Sequence, residues 1–336
     1  MASSLFSHYR GWQVVLALLH YAAATLVLVS TEGSGWEVPV VVRYNVWTSN
    51  DGQCTGDGGC TINEYERQLG LPLLTGLLVS SFSYISGSHH AFCAIQGQAY
   101  IKSLVEHGGV SFVRWLDYSL SASLMLMMDS VLWLAPPTLQ QLVLTFVAMF
   151  LVIVAGYGSE VAWSHGGRGD ADAVRIFTMA LMAFTCVWAN TWITFGESMH
   201  PHSDSYPLKN RSLGPPQPND PPDFVIVILA WLFITYCSFP MAHFWRIACK
   251  ENNPGEEGVI AAESVYSFLS FFAKIPLLAV YGTAVSARKD TIAVGTQPPT
   301  NTTGPDDGTF EALGWSIGAS VVLGIAMAID LRRLMK

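Results

Sequence analysis

The chain has 336 residues, of which 51% are hydrophobic and 12% are charged, and its formal net charge is -8. A charged fraction this low, with the apolar residues gathered into stretches of about 20, is typical of a multi-span membrane protein and argues against a soluble domain. The sequence contains no basic cluster, so a nucleic-acid partner is not expected.

Eight apolar segments are long enough to cross a bilayer as helices. We therefore predict an all-α membrane protein in which residues 1–285 form a seven-helix bundle. Residues 286–310 are predicted to be an outer linker, and residues 311–336 an additional transmembrane helix with a short basic tail. The predicted spans are 12–31, 71–95, 112–134, 138–157, 173–195, 224–248, 259–285 and 311–329.

A long acidic loop at residues 32–70 separates the first two spans. Near alternation of β-branched and polar residues from Val38 to Trp47 predicts a short β-hairpin in this loop. Cys54 and Cys60 also lie here. They form a disulfide if the loop lies in an oxidising compartment, and otherwise they are two free thiols.

The distribution of lysine and arginine predicts a cytoplasmic N-terminus. With this orientation ten of these residues lie in about 60 inner positions, and six lie in about 90 outer positions. The glycosylation sequons that begin at Asn210 and Asn301 then lie outside, together with the cysteine pair. An even number of spans places the C-terminus in the cytoplasm as well.

Lys274 lies in the middle of the seventh span, four residues after Ser270. A charged amine at the centre of a bilayer costs about 3 kcal/mol on insertion scales, so an intramembrane lysine is a candidate functional residue. It requires a carboxylate, a water-filled cavity or covalent conversion of the amine. Helical spacing places Glu263, Ser270 and Lys274 on one polar stripe, which should face the bundle interior.

The third span supplies the candidate carboxylates for Lys274. Asp117 lies about five residues inside this span, and Ser121 shares its helical face. Asp129 lies on a different face and is either an interfacial residue or part of an ion pathway. Arg114 is either an anchor at the membrane boundary or part of the same site as Asp117.

Intramembrane histidines add to this polar region. His20 lies on the first span, and His89 and His90 lie on the second. With the N-terminus inside, these residues fall in the same half of the membrane as Arg114 and Asp117. We predict that they form one polar pocket, and we favour His90 over His89 as its second histidine.

An arginine three residues before a carboxylate on the third span, with a lysine midway along the seventh, resembles the microbial rhodopsins. Within that group the chain is most similar to the heliorhodopsins, in its inner N-terminus, long outer first loop, Ser-x-x-x-Lys motif and intramembrane histidines. The string from Arg114 to Ser123 carries the closest likeness, and the resemblance covers about residues 12–285. It implies a rhodopsin-like bundle of inverted orientation and a retinal cofactor, all-trans in the dark.

The resemblance also implies roles for single residues. Lys274 would bind retinal as a protonated Schiff base, Asp117 would be its counterion, and Ser270 would be its hydrogen-bonding neighbour. His20, with His89 or His90, would line the polar cavity. Two features depart from the family: heliorhodopsins usually carry glutamate where Asp117 stands, and they have seven helices, whereas this sequence predicts eight.

Aromatic residues complete the predicted retinal pocket. The string Tyr236-x-x-Phe239-Pro240 on the sixth span is similar to the aromatic–proline segment that surrounds retinal in this group. Tyr118 and Trp192 are further candidates, although aromatic residues at such positions also pack in the core or against lipid in any bundle. The eighth span contains Gly314-x-x-x-Gly318, which suits a peripheral packing helix or a partner-binding helix.

The resemblance implies a light sensor that signals by conformational change. Pumps of the wider group carry carboxylic acids at the places of Met128 and Ser270, so two parts of a pump are missing here. A light-gated proton or ion channel or transporter stays open, suggested by Glu263, Asp129 and Glu160. A retinal-free transporter or receptor, in which Lys274 pairs with Asp117, also stays open.

The sequence shows no metal-ligand spacing, nucleophile elbow or phosphate loop, so we expect neither an enzyme nor a metal site. The expected partners are the lipid bilayer and an unidentified cytoplasmic signalling protein. A homodimer is expected by the resemblance alone.

Overall fold

A computed structural model describes residues 2–32, 39–49, 60–70, 72–133, 138–165, 168–199, 223–248 and 255–293. The helices are α1 (Ala2–Glu32), α2 (Pro72–Gln96), α3 (Gln98–Glu106), α4 (Phe112–Trp133), α5 (Leu139–Ser164), α6 (Arg168–Met199), α7 (Asp223–Ala248) and α8 (Glu256–Ala293). The strands are β1 (Pro39–Ser49) and β2 (Cys60–Gly70).

Seven long helices coincide with the first seven predicted spans, so the prediction of an all-α membrane bundle is confirmed. The short helix α3 was not predicted as a separate element. It is separated from α2 by Gly97, whose φ of 55° lies in the left-handed region that favours glycine. The predicted eighth span at 311–329, together with Cys54, Asn210 and Asn301, lies outside the described residues.

The described helices have the composition of a membrane protein. Five of them contain apolar stretches long enough to cross a bilayer: Leu5–Ser30, Leu139–Ser164, Asp170–Gly196, Val225–Arg246 and Glu256–Val280. Large apolar side chains such as Leu26, Met179 and Met241 point outward, where lipid would cover them. The other two long helices, α2 and α4, carry most of the buried serines of the interior.

The long loop after α1 contains the hairpin that the alternating pattern predicts. Strands β1 and β2 pair antiparallel, with Pro39 opposite Gly70 and Ser49 opposite Cys60. Because this hairpin connects the end of α1 to the start of α2, it marks one end of the bundle, which we call the hairpin end. The opposite end, where α3 lies, is called the α3 end.

Two helices run further than their apolar cores. Helix α5 continues to Ser164, seven residues beyond its predicted end, and α8 continues to Ala293, eight residues into the predicted linker. The extension of α5 matters for the interior because it carries Glu160, which is fully buried. Polar residues continue a helix as readily as apolar ones, so hydropathy alone places these ends too early.

The helices pack in a ring around the interior. Helix α1 packs against α2 and α8, α2 against α4, α4 against α5, and α5 against α6, while α7 packs against α8. Helices α5 and α6 therefore lie across the bundle from α1 and α8. This arrangement points the polar faces of α2, α4 and α8 toward one another.

Candidate functional site

The amine of Lys274 lies in the bundle interior with three polar neighbours. Its Nζ donates to Ser270 Oγ at 2.8 Å and to Asp117 Oδ1 at 3.1 Å, and it also contacts Ser86 Oγ. Only 2% of Lys274 is exposed to solvent. These contacts satisfy all three donors of an ammonium group, so the buried charge is both paired and hydrogen-bonded.

Asp117 is held from two further sides. Ser86 Oγ donates to Asp117 Oδ1 at 2.7 Å, and His89 Nδ1 lies 3.2 Å from Asp117 Oδ2. Ser121 lies one turn further along α4, where its hydroxyl donates to the backbone carbonyl of Asp117. Helices α2, α4 and α8 thus converge on one carboxylate.

The histidines form a layer beside this carboxylate. The ring centroids of His89 and His90 are 5.2 Å apart, and those of His90 and His20 are 5.4 Å apart, with nearly parallel planes in both pairs. His90 Nδ1 donates to Gln13 Oε1 at 2.6 Å, and the Gln13 amide donates to Ser267 Oγ at 3.0 Å. Polar contacts therefore run from Asp117 across α2 to α1 and back to α8.

A separate ion cluster lies toward the α3 end. Arg114 donates two hydrogen bonds of 2.7 Å to the carboxylate of Glu160, and it also contacts Glu263 Oε1. Arg246 contacts the other side of the Glu160 carboxylate. Two arginines and two glutamates give a formally neutral group, which offsets much of the cost of burying four charges.

Helix α3 covers this ion cluster. Tyr100 OH donates to Glu263 Oε2 at 3.0 Å, and Ser111 Oγ lies 2.6 Å from the same hydroxyl. Burial, together with the nearby Glu263 carboxylate, raises the pKa of Tyr100 well above its ordinary value, so the phenol stays a neutral donor. Arg246 also donates to the backbone carbonyl of Gly109 at 2.9 Å, which joins α7 to the turn after α3.

A cavity extends from Lys274 across the bundle to α5 and α6. It encloses about 810 Å³ of space between atoms, part of it open to the outside, and its walls are almost entirely apolar. The walls comprise Trp115, Tyr118, Ser121, Ala122, Met125, Met149, Val152, Ile153, Gly156, Phe177, Ala180, Leu181, Phe184, Tyr236, Phe239, Pro240, His243, Tyr266, Ala273 and Lys274.

The shape and chemistry of the cavity suit an elongated apolar ligand with one reactive polar end. The Lys274 amine borders the cavity at α8, and the Tyr118 ring centroid is 5.3 Å from its Nζ. The wall hydroxyls of Tyr118 and Tyr236 already donate to the carbonyls of Tyr266 and Ala122. These walls would therefore hold the polyene chain of retinal with few uncompensated polar contacts, and Lys274 would meet its aldehyde.

Comparison with known families agrees with this geometry. A sequence model of the heliorhodopsin family matches residues 9–283. The chain belongs to the heliorhodopsins. No curated protein matches the chain. Membership implies a retinal chromophore and a light-sensing role in the membrane, and the matched range covers all seven long helices apart from the ends of α1 and α8.

In this heliorhodopsin, four residues of the predicted retinal pocket line the cavity: Ser121, Tyr118, Tyr236 and Phe239. Trp192 does not line it. Its ring packs against Phe195 and Phe233 instead.

The single polar pocket expected from the sequence is divided into two groups. His20, His89 and His90 lie with Asp117, and both His89 and His90 are buried there. The sequence favoured His90 over His89 as the second histidine of the pocket, but it is His89 that contacts the Asp117 carboxylate. Arg114 and Glu263 instead lie in the ion cluster, where they pair with each other. Arg114 also pairs with Glu160, which lies beside it on the neighbouring helix α5.

The contacts of several residues in the site were not predicted from the sequence. Ser86 is one of several polar residues on the second span, and no pattern distinguishes it from its neighbours. Glu160 was considered only for an ion pathway because it lies beyond the predicted end of its span, and Gln13 and Arg246 lie near the ends of their predicted spans. Within the described part of the chain, no group of three or more His, Cys, Asp or Glu residues is placed to hold a metal ion.

Proposed function

We propose that this heliorhodopsin carries retinal on Lys274 as a protonated Schiff base, with Asp117 as counterion, and that it signals by conformational change. The observation that carries the proposal is the apolar cavity that ends at a buried lysine amine, 3.1 Å from an aspartate oxygen. Bound retinal supplies absorption of visible light and a light-driven change of shape. The residues below bind it and respond to that change.

Lys274 would form the linkage by condensing its neutral amine with the aldehyde, with release of one water, and the linking nitrogen would then take back the proton that the ammonium had given up. That nitrogen would carry one N–H, whereas the free ammonium carries three. One strong acceptor is therefore sufficient, and the charged carboxylate of Asp117 gives a stronger hydrogen bond than either Ser86 or Ser270. Ser86 and His89 keep Asp117 in place.

Trp115 is positioned to transmit a change in the cavity to the α3 end. Its ring lines the cavity, and its Nε1 donates to Glu160 in the ion cluster. Glu160 in turn contacts Arg246 of α7. A displacement of the cavity wall would therefore act on the contacts that hold α7 to α4 and α5, which is a means of signalling without transport.

The interior does not favour a pump. The position eleven residues after Asp117, where pumps of the wider group carry a proton donor, holds Met128, which is buried in the apolar core. Ser270 stands at the other position where pumps carry a carboxylate. Neither side chain can exchange a proton at neutral pH, so directional transport lacks two groups.

The decisive experiment is reconstitution with all-trans retinal. We expect the purified protein to develop a visible absorption band that hydroxylamine bleaches, and we expect Lys274→Ala to remain colourless. Lys102→Ala, which changes an exposed lysine on α3, is the matched control and should keep the band. A visible band in Lys274→Ala would exclude this attachment site, and a colourless wild type would favour a retinal-free transporter or receptor.

A light-gated proton or ion pathway is the second candidate. It is favoured by the nearly continuous polar groups along the interior, from Asp117 through the histidine layer to Gln13 and Ser267. Voltage-clamp recording under illumination separates the two functions. Currents that follow the proton or ion gradient would establish the pathway, whereas their absence across ionic conditions would leave the sensor.

We further propose that both termini are cytoplasmic, that the α3 end faces the cytoplasm, and that the protein forms a homodimer and acts on a cytoplasmic partner. The orientation is supported by Arg10, Lys102, Arg175 and Arg246, which lie toward the α3 end. The dimer and the signalling partner rest on the family resemblance. Retinal is proposed to be all-trans in the dark for the same reason.

A further inference from the structure

A residue on the far side of the cavity has a polar side-chain atom that the proposed function does not use. His243 of α7 lines the cavity and is 3% exposed, and its Nδ1 has no hydrogen-bond partner among the described residues. Its ring packs against Trp115 and Phe177. A buried polar atom without a partner is unfavourable, so this atom calls for a ligand or a water.

His243 lies on the side of the cavity opposite Lys274. It contacts Ser159 of α5 and Phe177 of α6, whereas Lys274 contacts α2, α4 and its own helix. A ligand attached to Lys274 and extended along the cavity would bring its other end toward α5 and α6. In retinal that end is the ring.

The hydrogen bonds of Ser159 determine which nitrogen of His243 carries the proton. Ser159 Oγ donates its only hydrogen to the backbone carbonyl of Ala173, at 2.9 Å. The same oxygen lies 3.3 Å from His243 Nε2, and it must therefore accept a hydrogen bond from that nitrogen. Nε2 thus carries the proton, and in a neutral imidazole Nδ1 presents a lone pair.

The charges around His243 favour the neutral imidazole. Trp115, Phe177 and the cavity surround much of the ring, and such apolar surroundings oppose a buried charge. The nearest carboxylate is Glu160, which already pairs with Arg114 and Arg246. No carboxylate among the described residues is left over there to balance an imidazolium.

We propose that the cavity selects a retinal whose ring carries a hydroxyl group, which would donate its hydrogen to His243 Nδ1. This inference rests on retinal binding at Lys274 and specifies the class of retinal. Among the described residues, the other one that lines the cavity and has a buried side-chain atom without a hydrogen-bond partner is Tyr266, through its hydroxyl. It lies on α8, two turns before Lys274, and a rotating hydroxyl both donates and accepts, so it would not select a donor over an acceptor.

The test is a competition for the apoprotein in the dark. Equimolar pairs are drawn from unsubstituted all-trans retinal, a retinal with a hydroxyl on its ring, and the ketone oxidised at the same ring carbon. The protein is incubated until the bound ratio is constant, and hydroxylamine then releases the bound retinoids as oximes for chromatographic measurement. We expect about fivefold enrichment of the ring alcohol over unsubstituted retinal, as one net hydrogen bond gives, and no enrichment of the ketone.

Two variants assign the preference to one atom. His243→Phe keeps an aromatic ring but removes the acceptor, so the enrichment should fall to about one. Tyr266→Phe removes the other unpartnered polar atom and should keep the enrichment. His243→Asn, which retains an acceptor near the position of Nδ1, provides a second variant if the phenylalanine variant does not fold.

The outcomes separate this inference from the proposed function. Equal binding of alcohol and unsubstituted retinal, or a preference for the ketone, would overturn the hydroxyl selection while visible absorption still supports Lys274 as the attachment site. Loss of the enrichment in Tyr266→Phe but not in His243→Phe would assign the preference for the alcohol to Tyr266. That result would also overturn the inference. A wild type that binds none of the three retinals would overturn the proposed function itself.

Discussion

At the scale of single residues, Asp117 is the side chain on which the properties of a bound chromophore should depend most. It is the carboxylate that contacts Lys274, and Ser86 and His89 hold its two oxygens. Removing its charge leaves a cation on the linking nitrogen without a counterion. In a buried site such a cation either spreads its charge along the polyene or loses its proton.

For Asp117→Asn we therefore expect a red-shifted visible band, or loss of that band at neutral pH as the Schiff base deprotonates. The measurement is an absorption spectrum across a pH titration. Asp117→Glu restores the residue usual in the family and should keep a protonated chromophore. Asp129→Asn is the control on the same helix, about 18 Å further along α4, and should alter the spectrum little. An unchanged spectrum and titration in Asp117→Asn would assign the counterion to another group.

Ser86 should set the acidity at which the counterion loses its charge. Its hydroxyl donates to Asp117 Oδ1 at 2.7 Å, and a hydrogen bond to a charged group contributes about 1.5–3 kcal/mol. That bond favours the ionised carboxylate. In Ser86→Ala, Asp117 should therefore take up a proton at higher pH, and the acid-induced red shift should move upward by about 1–2 pH units.

The matched control for Ser86 is Ser123→Ala. Ser123 is equally buried, but its hydroxyl donates to the backbone carbonyl of Ser119. An acid titration of the visible band in both variants is sufficient. If the midpoint in Ser86→Ala stays at the wild-type value, or moves to lower pH, Ser86 does not support the ionised carboxylate.

At the scale of helices, Glu160 joins three elements that are far apart in the chain. Its carboxylate contacts Arg114 of α4 and Arg246 of α7 from its own position on α5. Removing one partner of a buried ion pair leaves the other charge uncompensated, which typically costs about 3–5 kcal/mol. The cluster should therefore stabilise the α3 end of the bundle strongly.

We expect Glu160→Gln to lower the temperature at which the bundle unfolds, measured by circular dichroism of the apoprotein and by loss of the visible band after reconstitution. Asp172→Asn is the control, because Asp172 and Arg175 form an exposed ion pair on α6 whose contribution should be below about 1 kcal/mol. Equal effects of the two substitutions would show that burial of the cluster contributes nothing to stability.

The helices also show how far sequence reasoning reaches. Lys274, Ser270 and Asp117 could be brought together from helical spacing and depth, since a charged group in a span must face the interior. The role of Glu160 could not, because hydropathy ended its helix at residue 157, and a residue outside a span is not expected to be buried. When Glu160 is left out of the span, the sequence leaves Asp117, on the same helix, as the nearest carboxylate to which Arg114 can be assigned.

Other details depend on how the helices cross one another. Trp192 and Tyr236 are both aromatic residues in predicted spans, yet only Tyr236 lines the cavity. The difference comes from depth, because Trp192 shares a helical face with Leu181 of the cavity wall but lies about 16 Å further along α6. Ser86 depends on packing in another way, because the polar face of α2 contains several serines and only the positions of α4 and α8 select one of them.

At the scale of the whole molecule, the two ends of the bundle differ in charge and in construction. The α3 end carries Arg10, Lys102, Arg175 and Arg246, whereas the hairpin end is formed by a long acidic loop. Positively charged flanks are retained on the cytoplasmic side during insertion. The distribution therefore predicts that the α3 end, and the N-terminus with it, faces the cytoplasm.

Epitope tags read in intact and permeabilised cells test this orientation. We expect a tag fused before Met1 to bind antibody only after permeabilisation, because α1 begins at the α3 end. A tag inserted between residues 215 and 216, in the segment that connects α6 to α7 at the hairpin end, should bind antibody in intact cells. Retinal absorption of both tagged proteins serves as the control for correct folding. Surface labelling of the N-terminal tag would reverse the orientation, and the ion cluster and α3 would then face the outside, away from any cytoplasmic partner.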